Sequence, residues 1–390
     1  MSNGRLLSPW RAILGFGLVS LAADMVYEGA RSITGPLLAG LGASALVVGL
    51  VTGAGEAAAL LLRLVSGPLA DRTARYWALT IFGYGLTAVC VPLLAVTPFL
   101  GGAGLAVAAV LIVSERIGKA VRSPAKSALL AEAAGAVGRG RGFAVHKALD
   151  QVGAFAGPLL VAALVAAGGV IWPALAVLAL PGVAAMILLV WLRHRFPAPP
   201  AREPSDTSVS TSLPRTFHWF AASAGLATGG LVTFGLISYH ASETGRVPIA
   251  AVPVLYAAAM AAGAVAALAS GHLYDRWGAR VLYALPALAA ATPALALSTS
   301  TAAIVTGSLL WGAAIGVQDS TVKALVADLV MAPRRATAYG VFAAVQGVAA
   351  LVGGVLAGAL YEQSLTLLAV VFAAAQLLSA VLLTVTLRMR

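Results

Sequence analysis

Between two long apolar runs lies the charged stretch Gly67-Pro68-Leu69-Ala70-Asp71-Arg72-Thr73-Ala74-Arg75. The pattern returns about half a chain later as Gly271-His272-Leu273-Tyr274-Asp275-Arg276-Trp277-Gly278-Ala279-Arg280, again between apolar runs. In both copies an Asp-Arg pair follows the glycine at the fourth and fifth positions, and an arginine closes the stretch. A charged turn that recurs in a hydrophobic chain indicates a duplicated membrane unit.

The composition places the chain in a bilayer. Hydrophobic residues make up 60% of its 390 residues and charged residues 10%, whereas soluble domains carry about 25% charged residues. A membrane-spanning helix needs about 20 apolar residues, so the length accommodates twelve such helices joined by short turns. The net charge of +11 is spread over alternate turns instead of one patch, which argues against a nucleic-acid partner.

The apolar runs predict an all-α membrane protein of twelve transmembrane helices. The predicted ranges are 9–38, 44–69, 76–97, 103–130, 141–167, 170–194, 215–241, 249–271, 280–299, 302–330, 336–361 and 364–387. Proline and serine are concentrated in residues 196–214, which predicts a flexible linker there. We therefore expect one six-helix bundle over residues 1–195 and a second over residues 215–390.

Basic residues predict the orientation in the membrane. Arginines recur in the termini, in the linker and in every second turn, whereas the opposite set of turns holds essentially Arg246 alone. The positive-inside rule then places both termini and the linker in the cytoplasm. We expect a multi-pass protein of a prokaryotic plasma (inner) membrane, acting as a monomer.

The two charged stretches resemble the loop signature of the major facilitator superfamily, Gly-x-x-x-Asp-Arg-x-Gly-Arg-Arg, which lies between the second and third helices of each half. The matching residues are Gly67, Asp71, Arg72 and Arg75 in the first copy and Gly271, Asp275, Arg276, Gly278 and Arg280 in the second. Ala74, Tyr76 and Ala279 depart from the signature. The resemblance implies two pseudo-symmetric six-helix bundles that rock around a central site. It also implies that the charged residues of each copy form a latch between helix ends.

Several predicted helices carry charged side chains, each of which costs about 2.5–3.5 kcal/mol near the bilayer centre. On the first helix Asp24, Glu28 and Arg31 share one face, because their spacing is four and then three residues. The fourth and tenth helices carry further charges: Glu115, Arg116, Lys119, Arg122, Asp319 and Lys323. In the superfamily that this chain resembles, helices one, four, seven and ten line the central cavity, so these residues are the predicted binding site for substrate and protons.

Asp24 is the first candidate for a proton carrier, because a carboxyl group taken out of water holds its proton more readily. Glu28 is the second. The basic residues of helix four suggest an anionic or zwitterionic solute, or else they neutralise the acids of helix one. Static salt bridges between helices are the structural alternative, and the sequence leaves these readings open.

The fifth predicted helix contains Asp150 and the run Gly153-x-x-x-Gly157-Pro158. Glycines at every fourth position let helices approach closely, and proline bends the helix. The run resembles a signature of the exporter branches of the superfamily, although Val161 and Ala162 replace its final glycines. It favours export, and we assign Asp150, Gly153, Gly157 and Pro158 to gating.

Taken together, the sequence predicts a secondary transporter that exports a small polar, charged or amphiphilic solute in exchange for protons. Uptake of an anionic or zwitterionic solute by symport and a non-transporting membrane sensor are the alternatives. We expect neither an enzyme nor a cofactor. The sequence has no Gly-x-x-x-x-Gly-Lys-Ser/Thr loop for a nucleotide and no His-Glu-x-x-His motif for a metal.

Overall fold

The structure is a computed structural model that describes residues 7–135, 137–196, 213–331 and 334–389. These residues form helices and turns, with no strand among them, which confirms the predicted all-α class. The first six helices are α1 (Pro9–Gly40), α2 (Ala45–Leu61 and Arg63–Thr73), α3 (Tyr76–Leu93), α4 (Gly104–Ala134), α5 (Arg139–Gly168) and α6 (Trp172–Val177 and Ala179–Arg195). The second six are α7 (Arg215–Gly229 and Phe234–Glu243), α8 (Val252–Trp277), α9 (Ala284–Ala296), α10 (Thr301–Val317 and Lys323–Leu329), α11 (Arg335–Gln363) and α12 (Leu365–Arg388).

Within the described residues, ten helical stretches are long and apolar enough to cross a membrane. One of them, Ile249–Ala296, has 48 residues. At 1.5 Å per residue it is far longer than the ~45 Å of a bilayer, so it represents two passages, α8 and α9. Helix α4 is absent from the ten although it has 31 residues, because its charges exceed what an apolar span carries. When Ile249–Ala296 is counted as two helices and α4 is added, the ten stretches become about twelve membrane-spanning helices.

Contacts within the chain divide it into two units. The first unit consists of Met1–Ile33 and Leu61–Ser205, and the second of Thr34–Leu60 and Asp206–Arg390. One division falls inside the predicted linker, whose residues 197–212 lie outside the described part. Another falls within α1, so the end of α1 and the first segment of α2 group with the C-terminal helices.

Each unit has its own aromatic core. In the first unit Phe16 stacks on Trp77 with 5.7 Å between ring centroids. In the second unit Phe234 packs against Tyr256 at 4.7 Å and against Trp311 at 5.3 Å. Tyr256 and Phe234 are at most 1% exposed, so these rings fix the positions of α7, α8 and α10 in the same way that packed aromatic residues fix a soluble core.

Small residues bring neighbouring helices together in both units. A Cβ on Gly153 would collide with the backbone carbonyl of Leu21, and one on Gly157 with that of Met25, so α5 lies directly against α1. In the second unit Gly353 of α11 meets the backbone of Gly229 in α7. Close approach at glycine is typical of membrane helix pairs, and its recurrence at matching places agrees with the predicted duplication.

The charged stretches are more helical than the sequence analysis predicts. We expected turns after residues 69 and 271, but α2 continues to Thr73 and α8 to Trp277. The chain leaves the helix at the next residue in both copies, where Ala74 has a φ of 49° and Gly278 a φ of 63°. The left-handed region ends a helix, and the signature has a glycine there because glycine enters that region without strain.

Two helices of the second unit are interrupted. We predicted a continuous helix over 215–241, but α7 stops at Gly229 and restarts at Phe234. The side chain of Thr233 caps the new segment by accepting a hydrogen bond from the backbone N–H of Leu236 at 3.3 Å, as an N-cap threonine does. In α10 the residues Gln318–Val322 form a π-helical turn, a feature that is frequent at functional sites.

Candidate functional site

Seven of the nine predicted substrate and proton residues lie in the first unit, on α1 and α4. Glu115, Arg116 and Arg122 are 4%, 8% and 4% exposed, respectively. Asp24, Glu28, Arg31 and Lys119 are half-buried. Arg31, Arg116 and Lys119 gather around Tyr27. Glu115 and Arg122 adjoin them, Glu28 lies near Glu115, and Asp24 lies near Asp150.

The first group, which we call the tyrosine–cation cluster, consists of Tyr27, Arg31, Arg116 and Lys119. The ring of Tyr27 lies 3.9 Å from Nζ of Lys119 and 4.4 Å from the guanidinium carbon of Arg116. Arg31 lies farther off, at 5.9 Å from the same ring. The Tyr27 hydroxyl accepts hydrogen bonds from Arg116 and, at 3.2 Å, from Arg31. One buried aromatic residue thus gathers three cations, which each interact favourably with its electron-rich face.

Glu115 neutralises part of this charge. Its carboxylate lies 3.7 Å from Nε of Arg116 and 3.8 Å from a terminal nitrogen of Arg122. Thr87 of α3 donates a hydrogen bond to Glu115 at 3.1 Å and accepts one from Arg122 at 2.7 Å. Buried charges persist when they are paired and hydrogen-bonded in this way, so Glu115 holds Arg122 in place.

The second group, which we call the serine cluster, surrounds Ser20 of α1. Its hydroxyl lies 3.2 Å from that of Tyr84 and 2.9 Å from Nε2 of His146, and it accepts a hydrogen bond from Lys126 at 3.1 Å. Four helices, α1, α3, α4 and α5, therefore meet at one small polar side chain. Ser20 is 1% exposed, and such convergence fixes the positions of the four side chains.

Asp24 lies one turn beyond Ser20, and its carboxyl group is within hydrogen-bonding reach of the carboxyl group of Asp150 in α5. Lys147 binds Asp150 through an ion pair of 2.5 Å, and Lys126 stands near both acids. We predicted Asp24 as a substrate or proton residue and Asp150 as a gating residue. The structure places the two in one carboxyl pair.

Tyr84 connects the two groups. The guanidinium carbon of Arg122 lies 4.6 Å from its ring centroid, while its hydroxyl contacts Ser20. Tyr84 is 2% exposed. Arg122 in turn contacts Glu115, which pairs with Arg116 of the tyrosine–cation cluster. A continuous set of contacts therefore runs from Tyr27 to Ser20.

The predicted residues of α10 lie in the second unit. Asp319 is exposed and belongs to the π-helical turn. The side chain of Lys323 lies outside the described part of the structure.

The charged gating residues of the two duplicated stretches lie at helix ends. Asp71 is exposed and accepts a hydrogen bond from the buried Tyr76 hydroxyl at 3.4 Å, and Arg72 and Arg75 are exposed beside it. In the second copy Arg276 and Arg280 line a shallow cavity at the end of α8, next to the exposed Asp275. Gly67 and Gly271 lie within helices with no backbone close to them. Gly153, Gly157 and Pro158 are buried in α5.

The sequence analysis missed the two tyrosines that organise the site. Tyr27 precedes Arg31 by four residues and so shares its helix face, which is the signal that identifies it. Tyr84 lies on α3, where no charge drew attention to it. Across the described residues, no group of three or more His, Cys, Asp or Glu side chains is placed to hold a metal ion.

The chain resembles known proteins along its whole length. The model of the Major Facilitator Superfamily matches residues 14–245 and 219–390. An uncharacterized protein of Mycobacterium tuberculosis is 53% identical over 385 residues, covering 97% of this chain and 93% of that protein. An uncharacterized protein of Mycobacterium bovis has the same identity and coverage.

Solved structures of transporters share the fold. A mutant of the nucleoside transporter NupG superposes with a TM-score of 0.78 at 13% identity, covering 97% of this chain and 99% of that one. An inward-facing bacterial homolog of the human lysosomal transporter Spinster gives 0.66 at 17% identity, with 97% and 96% covered. A mutant of the peptide transporter POT gives 0.73 at 14% identity, with 96% and 94% covered. At these identities the likeness concerns the fold.

Proposed function

Because the chain belongs to the Major Facilitator Superfamily, we propose that it exports a small polar, charged or amphiphilic solute in exchange for protons, by alternating access. The family and the fold support the class of secondary transporter. The charged groups of the first unit support the choice of coupling ion and the charge of the solute.

One observation carries the proposal: acidic and basic side chains meet inside membrane-spanning helices instead of being excluded from them. Around the tyrosine–cation cluster there are four cations, Arg31, Arg116, Lys119 and Arg122, and two acids, Glu28 and Glu115. A purely structural network is stable when its charges balance. An excess of positive charge inside a membrane helix bundle favours a pathway for a charged solute.

The pair of Asp24 and Asp150 is the proposed proton site. A hydrogen bond between two carboxyl groups needs a proton on one of them, so the pair holds a proton while the bond lasts. Lys126 and Lys147 lie beside the pair and favour the charged form once the acids separate. Separation of the two carboxyl groups would therefore release one proton, and re-forming the pair would take one up.

The tyrosine–cation cluster is the proposed solute site. Arginine binds carboxylate and phosphate groups through two parallel hydrogen bonds, and lysine adds a point charge. Arg31, Arg116 and Lys119 converge on one ring, so their donors are directed at one small volume. An anionic group on the solute would replace the Tyr27 hydroxyl as the acceptor of Arg31 and Arg116.

Tyr84 provides the proposed coupling. A solute that draws Arg116 or Arg122 away from Glu115 also shifts the ring under Arg122 and hence the contact with Ser20. Ser20 lies one turn from Asp24, so the change reaches the carboxyl pair. The solute site and the proton site then act on the same connected set of side chains, as coupling between two sites requires.

Proton-driven uptake of an anionic solute is the second candidate. The excess of cations around Tyr27 favours it, because a proton carried inward with an anion offsets the anion's charge. Export is favoured by the run Gly153-x-x-x-Gly157-Pro158, although the close contacts of both glycines with α1 also explain it as packing. The direction of the pH gradient that drives accumulation of the solute distinguishes export from uptake.

The test is a screen of solutes in proteoliposomes with an imposed pH gradient, using wild type, Asp24→Asn and, as a control, Glu132→Gln at an exposed position of α4. Antiport predicts accumulation in vesicles with an acidic lumen, and symport predicts it in vesicles with an alkaline lumen. Asp24→Asn should lose the response to pH and keep solute exchange, whereas Glu132→Gln should match wild type.

Two results would contradict the proposal. Absence of flux under both gradients for every solute would favour the non-transporting sensor. An unchanged pH response in Asp24→Asn would remove the carboxyl pair from the mechanism while leaving the transporter class intact.

The proposed setting follows from the charges at the helix ends. We propose a prokaryotic plasma membrane with both termini in the cytoplasm, a monomer as the working unit, and a cytoplasmic latch at Asp71, Arg72 and Arg75. The exposure of these three side chains at the end of α2 supports a contact that forms and breaks during the cycle.

A further inference from the structure

A shallow cavity of about 690 Å³ lies where α8 ends and α9 begins in the second unit. Its lining is Leu273, Arg276, Trp277, Arg280, Val281 and Ala284. The cavity lies at the edge of two membrane-spanning helices, because the charged stretch interrupts the apolar run there. Its position and its lining are independent of the clusters in the first unit.

The cavity has a charged rim. Arg276 and Arg280 are both exposed, and they stand on either side of the turn at Gly278. Among the described residues no ion pair joins either guanidinium to a carboxylate, and the neighbouring Asp275 is itself exposed. Two guanidinium groups at one opening suit a phosphate, because each can donate two parallel hydrogen bonds to its oxygens.

The remaining lining is apolar. Trp277 is 65% exposed, and Leu273, Val281 and Ala284 form a half-buried wall. Tryptophan is enriched at the level of lipid headgroups, where its ring lies in the interface. A charged rim above an apolar wall at a membrane edge matches a lipid, because the lipid's phosphate would face the rim and its acyl chains would face the wall.

We propose that this cavity binds the headgroup of an anionic phospholipid. Its phosphodiester would lie between Arg276 and Arg280, and its acyl chains would follow the wall of Leu273 and Val281 alongside Trp277. Basic pockets at the edge of membrane helices bind such headgroups. The site goes beyond the proposed transport function, and it holds whether or not the carboxyl pair carries protons.

The first copy of the charged stretch lacks the features that make this site. Thr73 stands in the place of Trp277, and Tyr76 stands in the place of Arg280. Tyr76 is 2% exposed and donates its hydroxyl to Asp71. The duplicated stretches have therefore diverged, and the lipid site is specific to the second copy.

The test uses the purified full chain in detergent and measures the midpoint of thermal unfolding with phosphatidylglycerol, with phosphatidylcholine or with inorganic phosphate. Phosphatidylglycerol should raise the midpoint of wild type. The double variant Arg276→Gln/Arg280→Gln should bind it about tenfold more weakly, as expected for the loss of charge-assisted hydrogen bonds. Arg388→Gln, at an exposed arginine of another helix end, should behave as wild type.

A second measurement covers a double variant that folds poorly. In nanodiscs, the fluorescence of Trp277 is the difference between the emission of wild type and that of Trp277→Phe. Brominated phosphatidylglycerol should quench this difference, and brominated phosphatidylcholine should quench it less. Equal effects of the two lipids, or of inorganic phosphate and phosphatidylglycerol, would overturn the proposal. So would undiminished phosphatidylglycerol binding by a folded double variant.

Discussion

Arg122 lies over the ring of Tyr84, with 4.6 Å between its guanidinium carbon and the ring centroid. The hydroxyl of the same tyrosine lies 3.2 Å from the hydroxyl of Ser20. The ring therefore contacts the side of the site that carries the cations, and the hydroxyl contacts the side that carries the carboxyl pair. Because the two contacts use different atoms, substitution can remove one and keep the other.

We expect Tyr84→Phe to weaken coupling more than solute binding. The ring under Arg122 remains, while the contact with Ser20, a neutral hydrogen bond of about 1 kcal/mol, is lost. The ratio of protons to solute moved in proteoliposomes should fall, with the solute Kd changing less than about threefold. In Tyr84→Leu both contacts are lost, so affinity should fall as well. Equal ratios in wild type and Tyr84→Phe would remove this residue from the coupling.

At Tyr27 we expect the ring to matter more than the hydroxyl. Three cations lie over or beside this ring, and a buried cation–π contact contributes up to about 2 kcal/mol. Tyr27→Leu should therefore weaken binding of an anionic solute by about tenfold or more. Tyr27→Phe should bind at least as tightly as wild type, because Arg31 and Arg116 lose a competing acceptor. Calorimetric titration measures both, and similar loss in the two variants would contradict the role of the ring.

The contact of Gly157 with the carbonyl of Met25 predicts a sharp effect on stability. Gly157→Ala forces α5 away from α1, and such overpacking costs about 1–3 kcal/mol. Gly168→Ala is the matched control on the same helix, since a Cβ there meets nothing within 4 Å. Thermal unfolding in detergent should show a lower midpoint for the first variant alone. Gly353→Ala should also lower the midpoint, because Gly353 of α11 meets the backbone of Gly229 in α7.

The turns after α2 and α8 predict opposite effects of exchanging alanine and glycine. Ala74 adopts a φ of 49°, which costs a residue with a side chain about 1–2 kcal/mol. Ala74→Gly relieves this strain but adds an entropy cost of about 0.5–1 kcal/mol for ordering the glycine backbone. The midpoint of thermal unfolding should therefore stay level or rise. Gly278→Ala introduces the strain at a φ of 63° and should lower it. A lower midpoint for Ala74→Gly would contradict the left-handed turn.

Much of the fold follows from sequence because hydrophobic length decides it. The run predicted at 103–130 is observed as Gly104–Ala134, and the duplicated stretches indicate the repeat. The spacing of Asp24, Glu28 and Arg31 predicts a shared face, and the structure places all three beside the charges of α4. Helical periodicity correctly predicts which side chains share one face of a helix, and here that face meets a neighbouring helix.

Other features depend on tertiary contacts that no local pattern carries. Tyr27 has no charge and therefore was not recognised as the centre of three cations. Asp150 is paired with Asp24 only because Gly153 and Gly157 bring α5 against α1. The break of α7 at Gly229 was missed because an apolar run through glycines reads as one helix. Such breaks are tolerated where neighbouring helices supply the missing contacts.

The carboxyl pair predicts that Asp150→Asn and Asp24→Asn share one phenotype. An asparagine in either place donates a hydrogen bond to the remaining carboxylate and so mimics the protonated pair, but it has no proton to release. Both variants should fold, exchange solute across the membrane and fail to respond to a pH gradient. The double variant should resemble the single ones, because one shared proton can be lost only once.

A gating role for Asp150 gives a different result. In that case Asp150→Asn would slow exchange and transport alike, while Asp24→Asn alone would lose the pH response. Glu132→Gln, at an exposed position of α4, is the control and should match wild type in both measurements. Solute counterflow and proton flux, measured on the same vesicles, separate the two cases.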